Sequence, residues 1–428
     1  MVVLLVYMDY FYVIVFYSLA FCSVYVQVFF LVTFFEKRRS IVKHPDILEL
    51  TRYPEITIVI PCYNEEKTVS KTVESLCNLD YPKDKLSIFL IDDGSTDGTW
   101  DIFKKFENIP GISIFKKENG GKHTCLNLAL EKTNSEFFGC LDSDSLVHPQ
   151  ALKRIVNMFN NDENAMAIVP SILVLNPKNI LQSAQKAEYE MAIYIKKMLG
   201  FMGGIHVTPG PLSIFRKKVF DDLGPYRKAH NTEDQEIALR MQEHGYKIDH
   251  CPDSYVYTIT PDSFIKLYKQ RLRWVYGFIK NMIDYRRLIF RKKYGTVAFF
   301  TIPSGLISII SVLFIFSTLL YNVYQFIYNK IIQVGVVGFS NSYSFKFDWF
   351  FFDTKTIFFF SIILYVLLLS AMIIGRKMVN EKRALSINVL YFIVIYSIIA
   401  PFWLFRAIFN SIISKESSWT LERLSLKK

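Results

Sequence analysis

The chain has 428 residues, of which 51% are hydrophobic and 16% aromatic, and its formal net charge is +11 at pH 7. Its mean hydropathy of +0.22 is too high for a wholly soluble protein, and the apolar residues concentrate at the two ends. Much of the positive charge lies beside those apolar runs, as at residues 37–39 and 291–293, where basic residues flank membrane helices. Composition therefore argues against nucleic acid as a partner and favours a lipid bilayer.

Four apolar runs reach the length of about 20 residues that a helix needs to cross a bilayer. They cover residues 11–35, 297–321, 357–374 and 388–413. The first ends on a basic cluster and has no small-residue cleavage site, so we expect a retained anchor whose basic end faces the cytosol. The middle of the chain would then be cytosolic, in a multi-pass protein of the cell membrane.

The side of the membrane that the C-terminal tail occupies stays open. Four crossings from an external N-terminus place the tail outside, whereas Lys427 and Lys428 favour the inside. A hairpin broken at Pro401 would place the tail inside. Arg406, in the same apolar run, either reaches the headgroups or faces a polar path between helices.

These runs divide the chain into five parts. They are an N-terminal transmembrane anchor (1–36), a cytosolic domain (37–260), amphipathic interface helices (261–296), three C-terminal transmembrane segments (297–414) and a polar tail (415–428). The six cysteines show no CxxC spacing, which suits reduced thiols in the cytosol.

Short apolar runs alternate with helical patterns in the cytosolic domain. Strands are predicted at residues 56–60, 86–91, 112–115 and 137–141, and Pro61 is expected to end the first. This alternation predicts an α/β fold with a mostly parallel, doubly wound sheet and helices on both faces. Ligands bind beyond the carboxyl ends of the strands in such sheets, and the acidic clusters lie there.

Asp92 and Asp93 are adjacent carboxylates directly after a predicted strand. One interpretation is a turn in which Ser95 or Thr96 caps the next helix. The other is a nucleotide contact, because two like charges at a strand end repel each other unless a ligand uses them.

Asp142 and Asp144 are separated by one residue after another strand. In an extended segment the side chains of residues i and i+2 point to the same side, so both carboxylates can face one cation. Mg²⁺ typically takes one or two protein carboxylates and completes its shell with water and phosphate oxygens. A polar loop remains the alternative interpretation.

Two helix starts add candidate groups. Gly120 and Gly121 precede Lys122 and a helix, an arrangement that fits either a phosphate contact or a plain loop. Thr232 with Gln235 matches a capping box, and Asp234 at that helix start can also act as a base beside a cleft. The chain has no Walker A motif and no GxGxxG, so ATPase and dinucleotide-binding functions lack support.

Gln270, Arg273 and Trp274 lie at positions i, i+3 and i+4, so one helical face presents all three. An indole face can stack on a sugar ring, and a guanidinium can bind a diphosphate with two hydrogen bonds. The same helix is also predicted to lie on the membrane surface as an amphipathic helix.

Taken in order, these motifs resemble the family-2 glycosyltransferases, in particular the processive membrane synthases of cellulose, chitin, hyaluronan and poly-N-acetylglucosamine. The resemblance covers roughly residues 54–280. The matching elements are Pro61-Cys62-Tyr63-Asn64-Glu65, Asp92-Asp93-Gly94-Ser95, Asp142-Ser143-Asp144, Thr232-Glu233-Asp234 and Gln270-Arg271-Leu272-Arg273-Trp274. It implies a GT-A domain that transfers a sugar from a UDP-sugar donor to a glycan acceptor with inversion.

The resemblance also implies residue roles. Asp234 would be the catalytic base with Glu233 beside it, and Asp144 and Asp142 would hold Mg²⁺ or Mn²⁺. The donor would bind Pro61, Tyr63, Glu65, Asp92, Asp93, Lys122, Asp142, Gln270 and Arg273. The acceptor would bind Trp274, Gly210 and Pro211, although Thr208-Pro209 stands where small residues are expected before the glycine.

Three functions stay open at this point. The motif at residues 270–274 favours synthesis of a β-linked polysaccharide over a single transfer to a lipid carrier or glycan. The third, an inactive membrane binding or regulatory protein, would have lost a motif carboxylate, and none is missing. The compact architecture slightly favours N-acetylglucosamine over glucose or a mixed glucuronate polymer. Export could proceed unaided or require a homo-oligomer or a partner.

Overall fold

A computed structural model describes residues 2–41, 49–337, 354–379 and 385–413. Its strands are β1 (Ile56–Cys62), β2 (Leu86–Asp92), β3 (Ile112–Lys116), β4 (Phe137–Cys140), β5 (Ser145–Val147), β6 (Ala165–Val174), β7 (Ile214–Arg216) and β8 (Lys247–Thr258). Its helices are α1 (Val2–Lys37), α2 (Val69–Cys77), α3 (Thr99–Lys104), α4 (Lys122–Lys132), α5 (Ala151–Asn161), α6 (Ile180–Phe201), α7 (Lys218–Leu223), α8 (Glu233–Glu243), α9 (Phe264–Asp284), α10 (Ile302–Val337), α11 (Thr354–Met378) and α12 (Ile387–Ile412).

The eight strands form one mixed sheet in the order β3-β2-β1-β4-β7-β6-β8-β5. The first four strands of this order pair in parallel, as the alternating sequence pattern predicts. The next strand, β7, runs antiparallel to both β4 and β6, so only part of the sheet is parallel. The carboxyl ends of β1, β2 and β4 therefore meet at one edge of the sheet.

Strand β1 continues through Pro61 to Cys62, so the expectation that Pro61 ends the strand is wrong. The amide of Leu141 donates to the carbonyl of Val59, which therefore faces β4. Peptide groups alternate in direction along a strand, so the nitrogen of Pro61 also points toward β4. Pairing with β4 ends at the Val59–Cys140 register, so the missing N–H of Pro61 breaks no ladder hydrogen bond.

Helices cover both faces of the sheet, as predicted. Ile58 packs in one apolar core that includes Val73 of α2 and residues of α3 and α5. Val59, the next residue, packs in a second core with Leu126 of α4 and Tyr194 of α6. Alternate strand residues therefore fill opposite cores, and all six cysteines are free thiols.

Four helices in the described part of the chain are long and apolar enough to cross a membrane. They are Tyr12–Ser40, Val297–Gly335, Phe358–Met378 and Ile387–Ile412. Three of them contact the α/β domain near one end: Phe30 of α1 packs on Tyr194, Phe300 leads into α10, and Gly375 of α11 lies against Glu190 of α6.

Helix α12 contacts the domain along much of its length instead. Val389 packs near Ala187 of α6, and four turns later Trp403 packs against Leu267 of α9. Pro401 lies inside this continuous helix, so the alternative of a hairpin broken at Pro401 is wrong. Arg406 is exposed near its C-terminal end, and its guanidinium lies 5.5 Å from the ring centroid of Phe409. The tail at 415–428 lies outside the described residues.

Candidate active site

Asp92 and Asp93 follow the carboxyl end of β2, and the structure gives them different environments. Both oxygens of Asp93 are occupied: Oδ1 accepts from Lys117 Nζ at 2.6 Å and from the Gly120 amide at 3.0 Å, and Oδ2 accepts from the Gly121 amide at 2.8 Å. Asp93 thereby fixes the glycine turn before α4. Gly121 has a φ of +90°, in the region that favours glycine.

Among the described residues, one oxygen of Asp92, Oδ2, makes no hydrogen bond, although Lys116 Nζ lies 3.9 Å from it. The other, Oδ1, accepts from the Ser95 amide at 2.9 Å and closes a turn. The N-cap of α3 is Gly98, so the interpretation that Ser95 or Thr96 caps this helix is wrong. Oδ2 of Asp92 is buried. A buried carboxylate oxygen without a partner costs free energy that a donor hydroxyl or ring N–H would recover.

The end of β1, with Pro61, and the segment that follows it, with Tyr63 and Glu65, lie at the same edge. Asn64 has a φ of 57°, and its side-chain oxygen accepts from the Thr96 amide at 2.8 Å, which joins this segment to the turn after β2. Burial raises the pKa of Glu65, and the nearby charge of Asp142 raises it further. Glu65 therefore belongs to the same electrostatic cluster as the acidic pair after β4.

Lys122 is the first residue of α4 and forms the centre of the site. Its Nζ lies 2.5 Å from Asp142 Oδ1 and 3.6 Å from Glu233 Oε1. Burial disfavours the ammonium, but the nearby negative groups, Asp142 foremost and Glu233 among them, together outweigh burial and keep the pKa of Lys122 well above its ordinary value. Lys122 is therefore a fixed positive charge at a helix start, where phosphate groups bind.

Asp142 and Asp144 follow β4 and are partly exposed, whereas Leu141 and Ser143 are buried; residues 143–144 form a turn, so the extended segment assumed for the pair is not present there. Burial raises the pKa of Asp144 to about 7, and repulsion from Asp142 and Glu65 adds to the rise. A divalent cation would relieve this repulsion, so the two carboxylates fit Mg²⁺ or Mn²⁺. In the described part of the chain no three His, Cys, Asp or Glu side chains form a cage, so donor phosphates would complete the shell.

Asp234 lies in the first turn of α8, beside Glu233 and facing Lys122. Burial and then the charge of Glu233 raise the pKa of Asp234 to about 6, while Lys122 and Arg273 oppose the rise. A carboxylate with this pKa is ionised at neutral pH and remains basic enough to accept a proton.

The predicted capping box at this helix is wrong. Thr232 is the N-cap residue, but its side chain makes no capping hydrogen bond. Its Oγ1 donates to Ala229 O at 2.9 Å and accepts from Asn281 Nδ2 of α9 at 2.9 Å. The close approach of Gly277 explains this, because a Cβ on Gly277 would lie 2.3 Å from the Thr232 side chain. Thr232 therefore joins α8 to α9.

The loop at residues 208–211 closes over the ion pair. A Cβ on Gly210 would lie 2.5 Å from Lys122 Nζ and 2.6 Å from Asp142 Oδ1, so only glycine leaves the pair undisturbed. Thr208, which departs from the expected pattern, donates from its amide and its hydroxyl to the Asp234 carbonyl at 3.1 and 2.8 Å. The loop with Gly210 and Pro211 is thereby tied to the helix that carries Asp234.

Helix α9 brings its polar residues to this edge. Arg273 donates to the Asn231 carbonyl at 3.1 Å and acts electrostatically on Asp234. Gln270 Oε1 is buried without a hydrogen-bond partner in the described structure. Trp274 is half-buried, and the guanidinium of Arg271 lies 4.3 Å from its ring centroid.

Sequence motifs missed two charged residues of α6 near the site. Burial lowers the pKa of Lys196 to about 8, and its charge interacts with that of Asp234. Glu188 binds Arg271, with Glu188 Oε2 and Arg271 Nη2 2.7 Å apart. Neither residue belongs to a motif, since α6 approaches the site through tertiary packing. The signal available in the sequence was the presence of charged residues among the apolar neighbours of a helix.

The family model described as "Glycosyltransferase like family 2" matches residues 54–277, which is more than half of the chain. The chain is 29% identical to the poly-β-1,6-N-acetyl-D-glucosamine synthase of Staphylococcus aureus (strain COL) over 291 residues, 67% of this chain and 68% of the relative. It is also 29% identical to the Staphylococcus epidermidis synthase of the same name over 224 residues, 52% and 54% of the two chains.

Among solved structures, a mannosyltransferase from Pyrobaculum calidifontis in complex with GDP-Man and Mn²⁺ superposes with a TM-score of 0.60. It is 16% identical, and the match covers 93% of this chain and 99% of the other, so it shows that the two share a fold. The fold and the family match together confirm the resemblance found in the motifs. The chain belongs to the family-2 glycosyltransferases and is a membrane-synthase-like enzyme with a GT-A domain.

Proposed function

We propose that this protein is an inverting synthase that transfers N-acetylglucosamine from UDP-N-acetylglucosamine to a growing β-linked polysaccharide at the cytosolic face of the membrane. The proposal rests on the grouping of Asp234, the Lys122–Asp142 pair and Arg273, the last of them on α9, which packs against α12, a helix long and apolar enough to cross a membrane. The sugar is proposed from the staphylococcal relatives, which are named as poly-β-1,6-N-acetyl-D-glucosamine synthases.

The donor would bind along the carboxyl ends of β1, β2 and β4. Oδ2 of Asp92, which makes no hydrogen bond in the described residues, would accept one from the uridine, with Pro61, Tyr63 and Glu65 beside it, while Asp93 fixes the glycine turn. Lys122 at the start of α4 and Arg273 of α9 supply positive charge for the diphosphate. Gln270 Oε1 is buried and has no hydrogen-bond partner in the described residues, so it is available to accept a hydrogen bond from a hydroxyl of the nucleotide-sugar donor.

The metal would be Mg²⁺ or Mn²⁺ held by Asp144 and Asp142. When bound, it would supply positive charge for the departing nucleoside diphosphate. Mn²⁺ is the ion named in the complex of the Pyrobaculum mannosyltransferase. The chain's own part would be to hold two oxygen ligands in the segment after β4.

Asp234 would remove the proton from the acceptor hydroxyl as that oxygen attacks the anomeric carbon. Burial and then the charge of Glu233 raise the pKa of Asp234 to about 6, and the charges of Lys122 and Arg273 limit the rise, so the carboxylate is ionised at pH 7. The attack from the face opposite the diphosphate would convert an α-linked donor into a β-linked product in one displacement. A second nucleophilic carboxylate is not required.

Trp274 would stack on the terminal sugar of the acceptor, with the Gly210-Pro211 loop on its other side. The helices of the N- and C-terminal regions would hold this site at the bilayer, with the N-terminus outside and the domain inside. The rival function is the transfer of a single sugar to a lipid carrier or glycan. A homo-oligomer or an export partner would be compatible with the proposed synthase.

Purified protein in lipid nanodiscs tests the donor. Each of UDP-N-acetylglucosamine, UDP-glucose, UDP-glucuronate and GDP-mannose is supplied with Mn²⁺, and released nucleoside diphosphate is measured. The proposal predicts release from UDP-N-acetylglucosamine at least about tenfold faster than from the others, the discrimination that a few unpaired polar contacts give. Preference for GDP-mannose or UDP-glucose would contradict the assignment of the sugar.

A further inference from the structure

Three side chains from three helices form a partly buried network behind Trp274. Glu188 of α6 accepts from Arg271 Nη2 of α9 at 2.7 Å and from the hydroxyl of Tyr396 of α12 at 2.6 Å. Arg271 Nη2 also lies 3.3 Å from the Tyr396 hydroxyl, which closes a triangle of polar contacts. Arg271 is 7% exposed, so water screens these contacts little.

The network contacts the indole that is assigned to the acceptor. The guanidinium carbon of Arg271 lies 4.3 Å from the ring centroid of Trp274 and 5.9 Å from that of Tyr396. Arg271 thus stacks on Trp274 while Glu188 holds its other side. Glu188 and Tyr396 both hold Arg271 through its Nη2, and the guanidinium they hold lies against the indole, so its position bears on the orientation of Trp274.

We propose that Glu188 and Tyr396 are positioning residues that act through Arg271 to orient Trp274 for the acceptor. The role rests on the proposed function, since Trp274 binds acceptor only if the enzyme extends a glycan. It makes α12 part of the acceptor site: a membrane helix sets the angle of a side chain that contacts the sugar. Arg271 is not expected to contact the donor, since its described partners are Glu188, Tyr396 and Trp274.

The chain offers a matched control on the same helix. Glu190 of α6 binds Arg376 of α11 with a distance of 2.6 Å, and this pair is buried. It joins α6 to a membrane helix as Glu188 does, but it does not include α9. A general loss of helix packing should follow from changing either glutamate, whereas misorientation of Trp274 should follow only from changing Glu188.

Initial rates with UDP-N-acetylglucosamine and a β-linked N-acetylglucosamine oligosaccharide test the proposal, using full-length protein in nanodiscs. In Glu188→Gln the acceptor KM should rise about tenfold while kcat and the donor KM stay within about twofold, because only ground-state acceptor binding is weakened. Tyr396→Phe should raise the acceptor KM about threefold, since it removes one hydrogen bond. Glu190→Gln should leave the ratio of the two KM values unchanged.

A spectroscopic arm reports on Trp274 without requiring turnover. The emission of Trp274 is taken as the difference between each protein and the same protein carrying Trp274→Phe. Glu188→Gln should shift this difference emission and increase its quenching by acrylamide, and Glu190→Gln should not. Unchanged emission in Glu188→Gln, or equal effects of the two glutamate changes, would overturn the proposal. If the wild type does not use UDP-N-acetylglucosamine, the proposed function is contradicted instead. The emission of Trp274 would then still show whether Glu188 orients its indole.

Discussion

At the scale of single residues, the site is a cluster of carboxylates around one ammonium. Lys122 stands between Asp142 and Glu233, with Nζ to oxygen distances of 2.5 and 3.6 Å. The negative charges of Asp144 and Asp234 are compensated less directly by positive groups, and their pKa values are raised to about 7 and about 6. Asp144 and Asp234 are the groups assigned to the cation and to the proton, and raised pKa values are expected where charge changes during catalysis.

Replacing Asp234 by Asn should lower kcat by about 10³-fold while UDP binding is retained, because a general base contributes roughly this factor. In the wild type, kcat/KM should fall below about pH 6, since a carboxyl whose pKa is raised to about 6 accepts a proton there and can no longer act as a base. Rates between pH 5 and pH 8 measure this. The exposed Asp221→Asn should behave as wild type, and near-normal turnover of Asp234→Asn would exclude Asp234 as the base.

Metal affinity should depend on pH through Asp144. A proton competes with the cation for this carboxylate, so the apparent affinity for Mn²⁺ should increase as pH rises to about 7 and then level off. Isothermal titration calorimetry, in which Mn²⁺ is added to protein and UDP at pH 6.0 and at pH 7.5, measures this apparent affinity. Asp144→Asn should abolish the pH dependence, whereas Asp101→Asn, on the exposed surface of α3, should not. A pH-independent affinity would argue against Asp144 as a ligand.

Gly210→Ala should reduce kcat/KM by about 100-fold with little loss of stability, because small displacements of reacting groups have effects of this size. The added Cβ would meet Lys122 Nζ and Asp142 Oδ1, the flexible ends of two side chains, so the ion pair moves and the fold does not. Gly335→Ala is the control, since nothing lies within 4 Å of its added Cβ. Activity assays and thermal midpoints together check this, and a fully active Gly210→Ala would refute the close approach.

At the scale of elements, local patterns predicted β1 to β4 and the carboxylates that follow β2 and β4, but not β5 to β8. That Asp142 and Asp144 face one cation stays a prediction. Other features depend on tertiary packing and were predicted wrongly. The Thr232 side chain bonds to Asn281 of α9 instead of capping α8, and β1 continues through Pro61 because its pairing with β4 has already ended there. The different environments of Asp92 and Asp93 depend on a turn that lies 27 residues away in the chain.

The docking of α11 on α6 gives a prediction at this scale. A Cβ on Gly375 would lie 2.2 Å from the backbone carbonyl oxygen of Glu190, and neither backbone can move without separating the helices. Gly375→Ala should therefore destabilise the protein by about 1–3 kcal/mol, the usual cost of overpacking. A lower midpoint of thermal unfolding in detergent, with Gly335→Ala unchanged, would agree. Equal midpoints would show that the two helices are further apart.

At the scale of the whole molecule, the membrane helices and the catalytic domain form connected layers. α1, α10 and α11 contact the domain near one end, whereas α12 lies along α6 and α9 and reaches the network behind Trp274. Growth of a glycan at Trp274 would therefore take place beside the membrane helices. This arrangement accounts for a synthase that works at the bilayer surface.

The product itself tests the central claim most directly. Purified wild-type protein in nanodiscs is incubated with isotope-labelled UDP-N-acetylglucosamine and Mn²⁺, and the glycan is analysed by mass spectrometry and by the coupling constant of its anomeric protons. A series of β-linked N-acetylglucosamine chains of increasing length, absent from Asp234→Asn, is the predicted result. Addition of a single sugar, or α-linked product, would contradict the assignment of an inverting polysaccharide synthase.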